Sequence, residues 1–156
     1  MSISATVRHY LETRKTPYEL VFHSRSYTST ETAEAAHIPG DRLVKSVVVK
    51  SEGSYAIVVL PSTHRIDLES LQKHFGRPFE LAKETEIRAL FKDCEVGSIP
   101  PFGQMYGVDV LVDDSLRGRD DIYFEAGDHE ELVRVSGNDF DKLIGMATHG
   151  PFARHA

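Results

Sequence analysis

Leu43-Val44-Lys45-Ser46-Val47-Val48-Val49-Lys50 is a run rich in β-branched residues, closed upstream by Pro39-Gly40-Asp41 and downstream by Ser51-Glu52-Gly53-Ser54. Such a run between turn residues predicts a strand with both faces largely covered. Alternation places Leu43, Lys45, Val47 and Val49 on one face and Val44, Ser46, Val48 and Lys50 on the other. Lys50 stands at the end, within reach of water. Lys45 stands among apolar neighbours, where an ammonium must snorkel outward, pair with an anion or line a pocket. Beyond Gly53-Ser54, the stretch Tyr55-Ala56-Ile57-Val58-Val59-Leu60 predicts a second apolar strand and a hairpin with the first.

Working outward, Ile3, Val7, Tyr10 and Leu11 recur at helical spacing over residues 4–14, and Pro17 ends that region. Tyr18 to Phe22 predicts a strand. Thr28-Ser29-Thr30-Glu31 offers N-cap residues and an early acid for a short Ala-rich helix to His37. Pro61 to Arg65 predicts a loop. Asp67 caps a helix carrying Leu68, Leu71 and Phe75, and Gly76-Arg77-Pro78 breaks it. Glu84 or Thr85 opens another helix with Ile87, Leu90 and Phe91 inward. Val108 to Val112 predicts a strand turned by Asp113-Asp114-Ser115. Ile122–Ala126 and Glu131–Val135 predict a hairpin around Gly127-Asp128-His129-Glu130. Ser136 and Asp139 resemble a capping box for a last helix with Phe140, Leu143 and Ile144. Residues 147–156 are expected to be a C-terminal tail in which His149 and His155 are solvated. Frequent hairpins and irregular alternation favour a mixed α/β or α+β domain on a largely antiparallel or mixed sheet, not a doubly wound one.

A chain of 156 residues with 40% hydrophobic and 27% charged residues fits one ordinary globular domain. The net charge of -6 argues against general nucleic-acid binding, so any such contact is expected to be small and local. No apolar run approaches a membrane span, and the N-terminus lacks a signal-peptide layout. One cysteine, Cys94, leaves no intrachain disulfide, and a cytoplasmic location is the default expectation.

The second informative stretch is Gly97-Ser98-Ile99-Pro100-Pro101-Phe102-Gly103. Two prolines fix φ, remove two N–H donors and hold the preceding residues extended. Gly97 and Gly103 permit positive φ or close backbone approach. The loop can present backbone groups to a ligand, or simply be a stiff turn with Phe102 in the core. His129 sits in a turn, where a histidine is more often solvated than functional. Adjacent acids such as Asp113-Asp114 read as turn chemistry, not as an acid–base pair. H-E-x-x-H, a second cysteine and close helical His pairs are all missing, so no metal is expected. G-x-S-x-G, a P-loop and G-x-G-x-x-G are missing too. Cys94 reads as a small packed residue.

In order, the Lys45 strand, Val58-Val59-Leu60-Pro61-Ser62-Thr63-His64-Arg65-Ile66-Asp67, Gly97–Gly103, Val110-Leu111-Val112-Asp113-Asp114-Ser115-Leu116 and Ala126-Gly127-Asp128-His129 resemble the YbaK/ProX family of aminoacyl-tRNA editing domains, across residues 3–145. The resemblance implies a single editing domain over residues 1–146, built on a mixed, largely antiparallel curved sheet flanked by helices. It implies hydrolysis, without metal or cofactor, of the ester joining a wrong amino acid to the 3′-terminal adenosine of a tRNA. Lys45 matches the family's catalytic lysine. Gly97, Ser98, Ile99, Pro100 and Pro101 match its G-x-x-x-P loop, and His129 matches a histidine important in some members. With Ser46, Phe102 and Gly103 these would form the substrate pocket. Members specific for alanyl esters often carry Asn where Ser46 stands. The partners implied are the CCA end and a synthetase or elongation factor, with no DNA or membrane. The alternative is a non-catalytic module of the same fold that binds aminoacyl-tRNA or an aminoacyl compound.

Overall fold

The Lys45 run is strand β2 (Val44–Ser51), paired antiparallel with β3 (Ser54–Pro61) through the Glu52-Gly53 turn. These strands sit inside a five-stranded sheet whose remaining members are β5 (Glu80–Leu81), β6 (Asp109–Asp113) and β9 (Thr148–Gly150), in the order β5-β2-β3-β6-β9. β6 runs parallel to β3, and β9 runs parallel to β6. A second sheet joins β1 (Glu19–Phe22), β8 (Glu131–Ser136) and β7 (Asp121–Glu125), all antiparallel. A two-stranded ribbon joins β4 (His64–Ile66) to β10 (Ala153–His155). The computed structural model describes residues 3–24 and 28–156. The mixed, largely antiparallel architecture expected from the sequence is the one observed.

The helices α1 (Ala5–Thr13), α2 (Ser29–Ala36), α3 (Leu68–Phe75), α4 (Glu84–Leu90) and α5 (Gly137–Ile144) fall where periodicity placed them. Side chains of Ser4, Thr28, Asp67 and Ser136 each accept a bond from an N–H in the first turn of α1, α2, α3 and α5 respectively. None is long and apolar enough to cross a membrane among the described residues.

Alternation along β2 divides the core. Val44 and Val48, with Ile57 and Val59 of β3, belong to a large cluster that includes Leu11, Ile99, Phe102, Phe124 and Phe140. Val49, with Val58 and Leu60, belongs to a second cluster under α3, with Leu71 and Phe152. Lys45 stands opposite Leu60 and therefore on the α3 face. Lys50 ends the strand in an ion pair with Glu86 at 3.0 Å.

Two expectations are corrected. The segment 61–65 is not all loop, because His64 and Arg65 open β4. Residues 147–156 are not a tail. Phe152 is fully buried, β9 extends the main sheet and β10 pairs with β4. The buried Asp113 carboxylate explains the anchoring: Oδ1 accepts the amides of Phe152 at 2.9 Å and Ala153 at 2.8 Å, while Oδ2 accepts the Ser115 amide at 3.1 Å and its hydroxyl. His155 is exposed as expected; His149 is half-buried, with Nδ1 shielded from water.

Candidate active site

β2 has one edge fully occupied by β3. Its other edge is held only at its ends, by a parallel bridge from Leu43 to Tyr123 of β7 and by β5 at Val49 and Lys50. Among the described residues no strand pairs with that edge between Val44 and Val47. A sheet edge is a row of hydrogen-bonding groups awaiting a partner. Lys45 and Ser46 stand on this stretch, and Glu125 follows the bridge on β7 by the same two residues as Lys45 on β2.

The Gly97–Gly103 loop is strapped onto the end of β7. The Gly127 amide donates to the Ser98 carbonyl at 2.9 Å, the Glu95 amide to the Gly127 carbonyl at 2.9 Å, and the buried Ser98 hydroxyl to the Asp128 carbonyl. His129 Nε2 lies 2.9 Å from the Val96 carbonyl; a carbonyl only accepts, so that nitrogen carries the proton. Gly97 has φ +89, and a Cβ on Gly103 would lie 2.1 Å from the Val108 carbonyl oxygen, so each glycine is required for the reason expected. Ile99 and Phe102 are 6% and 2% exposed and pack into the larger cluster, so the loop's apolar side chains are core, and Gly97 is its exposed residue. Pro100, Pro101 and Gly103 are also buried.

The structure thus brings Gly97, Ser98, Ile99, Pro100, Pro101, Phe102, Gly103 and His129 into one hydrogen-bonded and packed unit. Lys45 stands apart from that unit's side chains. It is half-buried on the α3 face, while Ile99 and Phe102 pack on the opposite face. Burial pushes its pKa below the ordinary lysine value, and the nearby Arg65 charge pushes further in the same direction. Ser46 points to the side of the sheet where the strap lies, by its pairing with Val59.

His129 is only 3% exposed, contrary to the expectation for a turn histidine. It lines a cavity of about 530 Å³ with Arg88, Phe91, Cys94, Glu95 and Val96. Its Nδ1 is 3.8 Å from Glu125 Oε1. Glu125 was not singled out from the sequence. Burial raises its carboxyl to about 8, the neighbouring Asp128 and Glu95 charges add to the rise, and a hydrogen bond with Thr32 opposes it. The signal in the sequence was the spacing Glu125-x-x-Asp128-His129, with Glu95 preceding the loop by two residues.

Neither potential nucleophile near the strap is activated. Burial raises Cys94 to about 11, although its bond to Tyr106 pulls the other way. The Ser98 hydroxyl is spent on a backbone carbonyl. Burial alone would raise the Asp93 carboxyl, but Ser4, Thr6 and Tyr106 donors hold it at about 2, tying the start of α1 to the segment carrying the strap.

A profile of the aminoacyl-tRNA editing domain matches residues 23–143, and the chain belongs to that family, of the YbaK/ProX type. It is 26% identical over 141 residues to the prolyl-tRNA editing protein ProX of Acetoanaerobium sticklandii, covering 86% of this chain and 85% of that protein. It is 22% identical over 151 residues to a proline–tRNA ligase of Macrococcus caseolyticus, covering 86% of this chain but spanning only 26% of the ligase. A solved structure described as a candidate trans-editing enzyme for prolyl-tRNA synthetase superposes with a TM-score of 0.82 at 24% identity, covering 98% of this chain and 99% of that one. A hypothetical protein superposes with a TM-score of 0.85 at 23% identity, covering 96% and 99%.

Proposed function

We propose that the protein is a trans-editing deacylase that hydrolyses the ester between a wrong amino acid and the 3′-terminal adenosine of a tRNA. The observation that carries the reading is the edge of β2 at Lys45 and Ser46, unpaired among the described residues, which begins at a bridge to β7, the strand whose end holds the strap. A ligand lying in that opening would meet a desolvated cation and preset backbone dipoles. Both stabilise charge best where water is scarce.

In the proposed reaction Lys45 holds phosphate or ribose oxygens of the terminal adenosine and favours the negative charge that develops on the ester. Backbone groups of Gly97–Pro101 position the acyl carbonyl or the attacking water. Water adds to the carbonyl carbon, the tetrahedral intermediate expels the ribose oxygen, and the proton lost by water ends on that oxygen. The ribose 2′-hydroxyl orients the water. An aminoacyl ester is activated, so placement supplies most of the rate and no protein nucleophile is needed. Ser46 and His129 border the space for the amino-acid side chain, and Phe102 supports it from the core. Editing of this kind is needed because a pocket separates substrates that differ by one methylene only about 10–200-fold. A synthetase or elongation factor would deliver the tRNA, in the cytoplasm.

The test is a panel of mischarged tRNAs (alanyl, cysteinyl, seryl and threonyl esters) incubated with purified protein, with and without EDTA. We expect deacylation of at least one ester at a rate unchanged by EDTA. Turnover of none would favour a binding module, and loss with EDTA would overturn the metal-free mechanism.

A further inference from the structure

We propose that the β4–β10 ribbon is the surface that holds the phosphate backbone of the tRNA acceptor end; this rests on the reading above. Its two strands pair antiparallel with Arg65 directly opposite Arg154 and His64 directly opposite His155. The two histidine rings meet edge-on at 5.1 Å between centroids. Like charges placed opposite each other on a sheet destabilise the pairing. The chain carries a net charge of -6, so a directly opposed arginine pair runs against the composition, while burial lowers the His64 pKa and favours its neutral form.

Several arginines of the fold are neutralised by a carboxylate, whereas Arg14 is held by Gln104 and the Tyr10 ring and Arg77 lies over Phe75 and Phe79. Arg88 reaches Glu84, Arg117 reaches Asp114, Arg119 reaches Asp41 at 2.8 Å, and Arg134 reaches Asp121 at 2.6 Å. Among the described residues, Arg65, Arg154 and Lys45 have no carboxylate within ion-pair distance. Arg65 and Arg154 are exposed. Asp67 feels the Arg154 charge and Asp113 the His64 ring, but Asp67 is committed to the N-cap of α3 and Asp113 to the amides of Phe152 and Ala153.

The positive surface is continuous with the opening. Arg65 acts on Lys45, and Lys45, Arg119 and His155 all act on His64. β4 follows directly from β3, the partner of the strand that carries Lys45. A polyanion lying along the ribbon would therefore reach Lys45 with its end. Guanidinium groups suit phosphate oxygens because they offer paired donors in a plane. Only a few phosphates are covered, which fits a protein that grips the end of a tRNA and not its body.

The probe is an uncharged acceptor-stem minihelix ending in single-stranded CCA, fluorescently labelled and followed by anisotropy across a salt series. Wild-type protein should bind it with an affinity that falls linearly on a log–log plot. Arg65→Ala/Arg154→Ala should weaken binding by at least about tenfold at low salt and reduce the slope by roughly one to two. Arg65→Lys/Arg154→Lys should keep most of the slope. The alanine variant should melt no lower than wild type, since an opposed like-charge pair has been removed. Unchanged binding and slope in the alanine variant, or no binding by wild type, would overturn the inference. The minihelix has no ester, so binding by wild type without turnover of any mischarged tRNA would remove the deacylase and leave the ribbon. Turnover with KM unaltered in the alanine variant would remove the ribbon and leave the deacylase.

Discussion

Two regions of the molecule are built on opposite electrostatic plans. In one, Lys45, Arg65 and Arg154 form a partly exposed cationic rim. In the other, Glu95, Glu125, Asp128 and His129 form a largely buried acidic turn locked to the Gly97–Gly103 strap. Among the described residues the rim's charges have no carboxylate within ion-pair distance, and the rim bears repulsion between Arg65 and Arg154. The turn places a carboxyl where burial makes the charged form costly. The rim therefore suits attraction of a flexible anion, and the turn suits holding backbone groups still. Neither region would serve in the other's place: exposed dipoles are quenched by water, and a buried cluster of cations could not be desolvated.

If the strap is structural on its packed side, its largest effects should appear in stability. Phe102→Ala empties a site between Tyr10, Phe124 and Phe140, with ring centroids 5.2, 5.0 and 6.3 Å away. We expect a loss of about 3–5 kcal/mol by denaturant unfolding. A change within a few tenths would break the distinction between strap side chains and strap backbone.

The acidic turn makes a pH prediction. Glu125 ionises near its ordinary 4.5 when unfolded and at about 8 when folded. The folded chain keeps that proton between these values while the unfolded chain has lost it, so stability falls as pH rises from about 4.5 to about 8 and then levels. Glu125→Gln should flatten that fall by a few kcal/mol at most, measured as midpoint against pH. An identical pH dependence in wild type and variant would show that this carboxyl does not titrate as described.

Smaller effects distinguish the regions further. Ser98→Ala leaves the Asp128 carbonyl without its hydroxyl donor, and should cost about 1–3 kcal/mol. Arg154→Ala should leave the melting temperature unchanged or slightly raised, because an exposed, unneutralised charge contributes little to the fold. A marked loss would mean the ribbon arginine is structural.

The sequence was most legible where order is local. The β2–β3 hairpin, the capped helices and the Ile122–Val135 hairpin each announce themselves through alternation, caps or turn residues within a dozen positions. The glycines of the strap were also readable, because positive φ and close approach leave glycine little competition. The ribbon was not readable. Its strands are three residues long, polar and separated by most of the chain, and only the pairing of Arg65 with Arg154 makes them strands. The same non-locality hid the seating of Phe152 by Asp113, and so turned an expected tail into part of the core. Glu125 escaped notice because a carboxylate on a strand ordinarily faces water. Two groups that act on it in the fold, the Thr32 hydroxyl of α2 and the Glu95 charge, are both far from it in sequence.

The central claim is that Lys45 is a cation kept for a ligand. Single-turnover deacylation of the most reactive mischarged tRNA, by wild type and by Lys45→Ala of confirmed fold, tests it most directly. The account predicts that the chemical step slows by about 10²–10³-fold while the melting temperature holds. An undiminished rate in the folded variant would contradict it.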